Sequence, residues 1–153
     1  MMKLFQRKHQ MQLVAPVNGL YVDLRQAGSQ GASVGFAVEP MVGEVQAPIA
    51  GTVTQISNQR LTLIADHDCE VTVQLGQPDG HAETTAFNWL VAVGDSVVPT
   101  TQLAMMDVDA LHVANQSALV TCLVTNRQPS DFVIEKTGIV SHGDLIENFK
   151  IKN

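Results

Sequence analysis

From residue 12 to the end, short runs rich in Val, Ile, Leu and Thr follow one another, and Gly, Pro, Asn or Asp breaks each run after several residues. Runs of this length and composition predict strands rather than helices. They fall near residues 12–15, 20–25, 34–39, 43–46, 52–57, 61–65, 69–75, 96–98, 102–106, 118–125, 132–135 and 147–151. One stretch breaks the pattern. Asp107-Val108-Asp109-Ala110-Leu111-His112-Val113 predicts a helical turn with Asp107 as N-cap. Glu83 to Leu90 predicts a second short turn of helix or a loop. The fold class is therefore all-β: a sandwich or barrel-like hybrid of short, mostly antiparallel strands with one or two short helical turns.

Two weak repeats refine this picture. Leu13-Val14-Ala15-Pro16-Val17-Asn18-Gly19 is echoed by Val45-Gln46-Ala47-Pro48-Ile49-Ala50-Gly51, and Val93-Gly94-Asp95-Ser96-Val97 by His142-Gly143-Asp144-Leu145-Ile146. In the first pair Pro removes a donor, and the Gly three residues on permits a turn. In the second, Gly-Asp reads as a hairpin corner. Doubled turns imply two similar halves wrapped into one sandwich, a duplicated hybrid motif. Such repeats give architecture and not function.

Composition bounds the rest. With 153 residues, 45% hydrophobic and 16% charged, the chain suits one domain with a real core. Residues 1–11 read as a flexible basic leader, and 12–153 as a single β domain. Net charge is −6, and three of the nine basic residues are Lys3, Arg7 and Lys8. The body has no phosphate-binding stripe, which argues against nucleic acid. Cys69 and Cys122 fit no metal spacing and read as small core residues of a reduced, cytoplasmic protein. No run approaches the roughly 20 apolar residues of a membrane span, and no long apolar stretch near the N-terminus suggests a secretory signal.

The chemistry centres on Gln59 and Gln74, which lie at the ends of two strand-like runs flanking Asp66-His67-Asp68. Folding the segment about that turn sets Gln59 opposite Gln74, with their side chains in reach. This hairpin, together with Ala15-Pro16-Val17-Asn18-Gly19, Gly35-Phe36-Ala37-Val38-Glu39-Pro40, Ala47-Pro48-Ile49-Ala50-Gly51-Thr52-Val53, Val93-Gly94-Asp95-Ser96-Val97 and Val120 to Asn126, resembles the glucose-family IIA domain of the bacterial phosphoenolpyruvate-dependent sugar phosphotransferase system. The resemblance runs from about Leu13 to Ile151.

That resemblance implies two histidines at the positions of Gln59 and Gln74, one carrying a phosphoryl group and the other supporting it. It also implies a hydroxyl at Ser57, a short amphipathic leader able to touch a membrane weakly through residues 1–11, and a role in sugar transport. Departures gather at the site. Both imidazoles are amides. Gln55 and Thr72 stand where the family has apolar or aromatic residues, and Gln26-Ala27-Gly28-Ser29-Gln30 is polar and small. Ser33-Val34-Gly35 replaces Gly-Asp-Gly, and Pro78 replaces an aspartate beside Asp79. An amide nitrogen has its lone pair delocalised into the carbonyl, so it is a donor and not a nucleophile. The swap also removes two good zinc ligands, so no metal or other cofactor is expected.

Three functions fit. The first is a non-phosphorylatable regulatory paralogue, a pseudoenzyme that binds a protein partner: a phosphotransferase-system permease domain, a transporter or a metabolic enzyme. The second is a phosphocarrier working through a relocated histidine, His81. The third is a small-molecule module binding a sugar through Gln55, Gln59, Thr72 and Gln74. His9 reads as part of the leader, His67 as a turn residue, and His112 and His142 as turn residues with no acid–base spacing. Tyr21 and Trp89 read as packing residues. There is no phosphate-cradling glycine loop, no lysine at a carrier hairpin tip and no His-x-His pair.

Overall fold

A computed structural model describes residues 8–24, 35–77, 86–126, 128 and 130–152. Among them are fourteen strands, one α-helix and a short 3-10 turn at Asp66–Asp68. The strands are β1 Lys8–Val14, β2 Gly19–Val22, β3 Gly35–Pro40, β4 Glu44–Gln46, β5 Gly51–Ile56, β6 Arg60–Ile64, β7 Glu70–Leu75, β8 Phe87–Trp89, β9 Ser96–Val97, β10 Gln102–Met106, β11 Val120–Val124, β12 Ser130–Ile134, β13 Ile139–Val140 and β14 Leu145–Lys152. Helix α1, Val108–Val113, follows β10, and Asp107 caps it by accepting the Ala110 N–H at 3.0 Å. The all-β architecture is as expected, with open sheets and every strand pair antiparallel.

Strand order reveals a duplication. One eight-stranded sheet runs β13-β2-β3-β11-β7-β6-β5-β9, and two three-stranded sheets run β1-β14-β12 and β4-β10-β8. Read outward from the β11–β7 pair, the strand orders match β4–β10 to β1–β3 followed by β11–β14. The second half is thus one contiguous segment set inside the first. The repeated Ala-Pro segments meet at this relation: Val14 N–H donates to Pro48 O at 2.9 Å, and Gln46 N–H donates to Pro16 O at 2.7 Å.

The repeated corners also match. Asp95 Oδ2 accepts the Ala92 N–H at 2.9 Å, and Asp144 Oδ2 accepts the Ser141 N–H at 2.8 Å. Gly94 and Gly143 sit at positive φ, 98° and 86°, where a side chain is strained. Gly19 and Gly51 serve differently from the turn role expected of them. They begin strands, and a Cβ would lie 2.1 Å from Glu39 O or 2.6 Å from Ile64 O. Close backbone approach, not turn conformation, excludes larger residues there.

Two expectations are corrected, and one strand is added. Lys8–Met11, read as leader, lie in β1 and pair with β14, Lys8 opposite Lys152. Within the 83–90 stretch, residues 83–85 lie outside the described residues and Ala86 has 3-10 conformation, while Phe87–Trp89, expected as part of a helical turn or loop, form a strand against β10. Ile139–Val140 adds a short strand that pairs with β2. Residues 1–7, and with them most of the leader, lie outside the described residues.

The core explains why the strands hold. Leu61, Leu63, Val71, Val73 and Leu75 of the β6–β7 hairpin are all fully buried, as are Val120 and Cys122 of β11. These side chains join one apolar cluster with Leu13, Phe36, Phe149 and Ile151. Each fully buried aliphatic side chain stabilises the fold by about 1.5–3 kcal/mol before chain entropy is counted.

Candidate functional site

The site is built on the bend between β5 and β6. Ser57 N–H donates to Arg60 O at 2.8 Å and closes the turn. Trp89 of β8 then clamps it: the indole Nε1–H donates to Ser57 O at 2.9 Å and to Asn58 O at 3.2 Å. A tryptophan packed against the core with its polar edge on two carbonyls fixes the bend from below. From the other side, Gln59 Nε2 donates to Leu75 O at 2.9 Å and to Gln77 O at 3.1 Å.

The hairpin register differs by one residue from the expected pairing. Gln74 lies opposite Arg60, not Gln59. Gln59 falls just before β6, and its carbonyl accepts the Leu75 N–H at 2.8 Å. Arg60 Nη2 donates to Gln74 Oε1 at 3.0 Å, while Gln74 Nε2 donates to Gly76 O at 3.2 Å. The two amides therefore do not pair as expected. Both are spent on backbone carbonyls of the Leu75–Gln77 segment.

Register also defines a polar face opposite the core. Gln55, Thr62 and Thr72 form one row across β5, β6 and β7. Arg60, Gln74 and Thr121 form the next across β6, β7 and β11. Gln55 is exposed, whereas Thr72 is buried, its Oγ1 3.5 Å from that of Thr62. Ser57 is exposed, and its hydroxyl reaches Arg60 O weakly, at 3.4 Å. Of the binding residues inferred from sequence, Gln55, Gln59, Thr72 and Gln74 share this end of the sheet, but Thr72 offers no open polar surface. His81, Pro78, Asp79, Ser33, Val34 and the 26–30 loop lie outside the described residues.

The other histidines are dispersed. His9, in β1 and not in a leader, stacks on His67 with ring centroids 3.6 Å apart. His112 lies 3.6 Å from Glu39. His142 sits in the Gly-Asp corner, where its backbone N–H donates to Asn18 Oδ1 at 2.8 Å. Among the described residues no group of three His, Cys, Asp or Glu could hold a metal ion.

Perturbed groups lie elsewhere. Burial pushes the Glu147 carboxyl up to about 7, although the Gly35 backbone N–H opposes this by hydrogen-bonding it. Its Oε1 is buried with no hydrogen-bond partner. Burial also pushes the Cys122 thiol up, with Glu147 adding to the shift, and pushes up the Tyr21 phenol with help from Asp23 and Glu147. The Lys136 ammonium, then the Ser141 N–H, hold Asp144 below the usual carboxylate range.

Chemically, the bend offers fixed amides, hydroxyls and one guanidinium, with no imidazole at either glutamine position. Sequence reading overlooked Arg60 as a site residue and took Trp89 for packing alone. The adjacency of Arg60 to Gln59 was its visible signal.

Comparisons with known proteins bear on the family and the fold. A family model described as phosphoenolpyruvate-dependent sugar phosphotransferase system, EIIA 1, matches residues 11–130. A beta-glucoside-specific EIIBCA component of Bacillus subtilis is 29% identical over 64% of this chain, and a glucose-specific EIICBA component of Streptococcus pneumoniae is 32% identical over 68%. The chain spans 16% and 15% of those two proteins. A glucose-specific EIIA component of Staphylococcus aureus is 27% identical, with 81% of each covered. Among solved structures, glucose permease IIA from Mycoplasma capricolum superposes with a TM-score of 0.82 at 19% identity, covering 96% of this chain and 99% of that one. That likeness concerns the fold. No helix of the described residues is long and apolar enough to cross a membrane.

Proposed function

The chain belongs to the EIIA 1 family of the phosphoenolpyruvate-dependent sugar phosphotransferase system, and we propose that within it this protein binds a partner without carrying a phosphoryl group. One observation carries the reading: Gln59 and Gln74, at the positions where the family resemblance expects the two histidines, engage backbone carbonyls through their amide nitrogens. An amide cannot form and release a phosphoramidate under conditions where imidazole does. A permanently unphosphorylated surface remains. Its partner is a protein: a permease component of the phosphotransferase system, another transporter or a metabolic enzyme. The names of the long relatives, which join A to B and C, favour the permease component.

The test is intact-mass analysis after incubation with phosphoenolpyruvate and the two upstream phosphocarriers. The mass stays unchanged on this reading. A gain of one acid-labile phosphoryl group, mapped to His81, replaces it with the relocated-histidine carrier.

A further inference from the structure

We propose that the depression beside Arg60 is a binding site for a small phosphate monoester with a polyol body. The inference does not depend on the missing imidazoles, because it uses a different set of groups. The depression holds about 410 Å³ and is lined by Thr54, Gln55, Ser57, Arg60 and Thr62, with Ile56 and Val93 as apolar wall. That volume suits a small ligand.

Charge selects an anion. The chain has a net charge of −6, yet among the described residues no carboxylate lines this depression. Arg60 forms no ion pair with a described residue. The guanidinium carries five N–H donors, and its bond to Gln74 Oε1 at 3.0 Å orients the fork while leaving other donors open. A fork held in this way matches phosphate oxygens two at a time.

The remaining groups select the body of the ligand. Thr54 Oγ1 donates to Thr62 O at 3.3 Å and Ser57 Oγ to Arg60 O at 3.4 Å, so each hydroxyl presents lone pairs as acceptors. The exposed Gln55 amide adds a donor and an acceptor. Ligand hydroxyls fit that set. Val93, 60% exposed, offers an apolar surface for a C–H face. The bend carrying Ser57 and Arg60 is pinned by Trp89 and Gln59, so little ordering entropy opposes binding.

The experiment is amide chemical-shift titration of the full chain with glucose 6-phosphate, glucose and inorganic phosphate in parallel. Glucose 6-phosphate shifts the signals of residues 54–60, Thr62 and Val93, and each fragment binds at least about tenfold more weakly. Arg60→Gln weakens binding about tenfold or more, and Arg60→Lys less so, because charge remains without the fork. Val93→Asp, which leaves the hydrogen bonds of the bend untouched, also weakens binding by placing a carboxylate at the rim. No shift with glucose 6-phosphate overturns the site, as does binding unaltered in both Arg60→Gln and Val93→Asp. Glucose binding as tightly as its phosphate overturns the anion assignment. Inorganic phosphate binding as tightly overturns the polyol assignment.

Discussion

Arg60 Nη2 donates to Gln74 Oε1 at 3.0 Å, so a guanidinium, and not a second amide, faces Gln74 across the β6–β7 pair. The contact couples the two strands at the edge of the bend. It also means that replacing the amides alters a network that includes a cation.

Restoring ring nitrogens tests the phosphoryl-free reading from the opposite direction. Gln59→His with Gln74→His supplies a nucleophile and its neighbour. With phosphoenolpyruvate and the upstream carriers, the double variant gains one phosphoryl group, whereas the native chain gains none. Intact mass reads both. Equal labelling of the two proteins sinks the reading.

Trp89→Phe keeps an aromatic body against the core but removes the donor shared by Ser57 O and Asn58 O. A loss of about 1–2 kcal/mol follows from the lost hydrogen bonding. Urea unfolding measures it, and faster amide exchange at residues 57–60 localises it. An unchanged midpoint would remove the indole from the account of how the bend is held.

Glu147 makes stability depend on pH with a definite sign. Its carboxyl is raised to about 7 in the fold from an ordinary 4.5. The folded state therefore holds the proton more tightly than the unfolded chain. The stability tied to the neutral form is fully present below about 4.5 and is lost as pH rises through about 7. Residual solvent screening of the carboxyl keeps the loss at full ionisation to about 1–2 kcal/mol. Glu147→Gln, neutral at every pH, lacks this component. Urea midpoints from pH 4 to 8 therefore fall less steeply in the variant, and parallel curves would refute the assignment.

The two kinds of glycine, close-approach and positive-φ, separate by substitution. Gly19→Ala forces a Cβ to 2.1 Å from Glu39 O, which no rotamer can relieve. It costs upwards of about 4 kcal/mol. Gly94→Ala meets nothing within 4 Å and pays for positive φ alone, about 1–2 kcal/mol. Thermal unfolding of the two variants ranks them, and equal losses would reject the distinction.

Much of this was readable from local pattern. Val71, Val73 and Leu75 alternate with Thr72 and Gln74, which marks both the strand and its buried face. Asp107 announced its helix through the capping side chain. What escaped depends on distant partners. Lys8, His9 and Gln10 carry no strand signal, yet β14 supplies their ladder. Phe87-Asn88-Trp89 is too short to show a period and takes its form from β10. The hairpin register turned on one residue: centred on His67, it aligns Arg60 with Gln74 and leaves Gln59 in the bend. Hydrophobic alternation predicts a face but does not count turn residues. The role of Arg60 was equally hidden, since lining a depression depends on β5 and Val93 as well as its own strand.

The placement of one half inside the other separates ladder partners widely along the chain. Segment β4–β10 finds most of its ladder partners within itself, whereas β1, the first of the described strands, has its ladder made by β14, the last of them. Without Lys152, Lys8 at the start of β1 has no ladder partner. Removal of residues 150–152 thus leaves Lys8, His9 and Gln10 without ladder partners and frees that stretch of strand edge for pairing with another molecule.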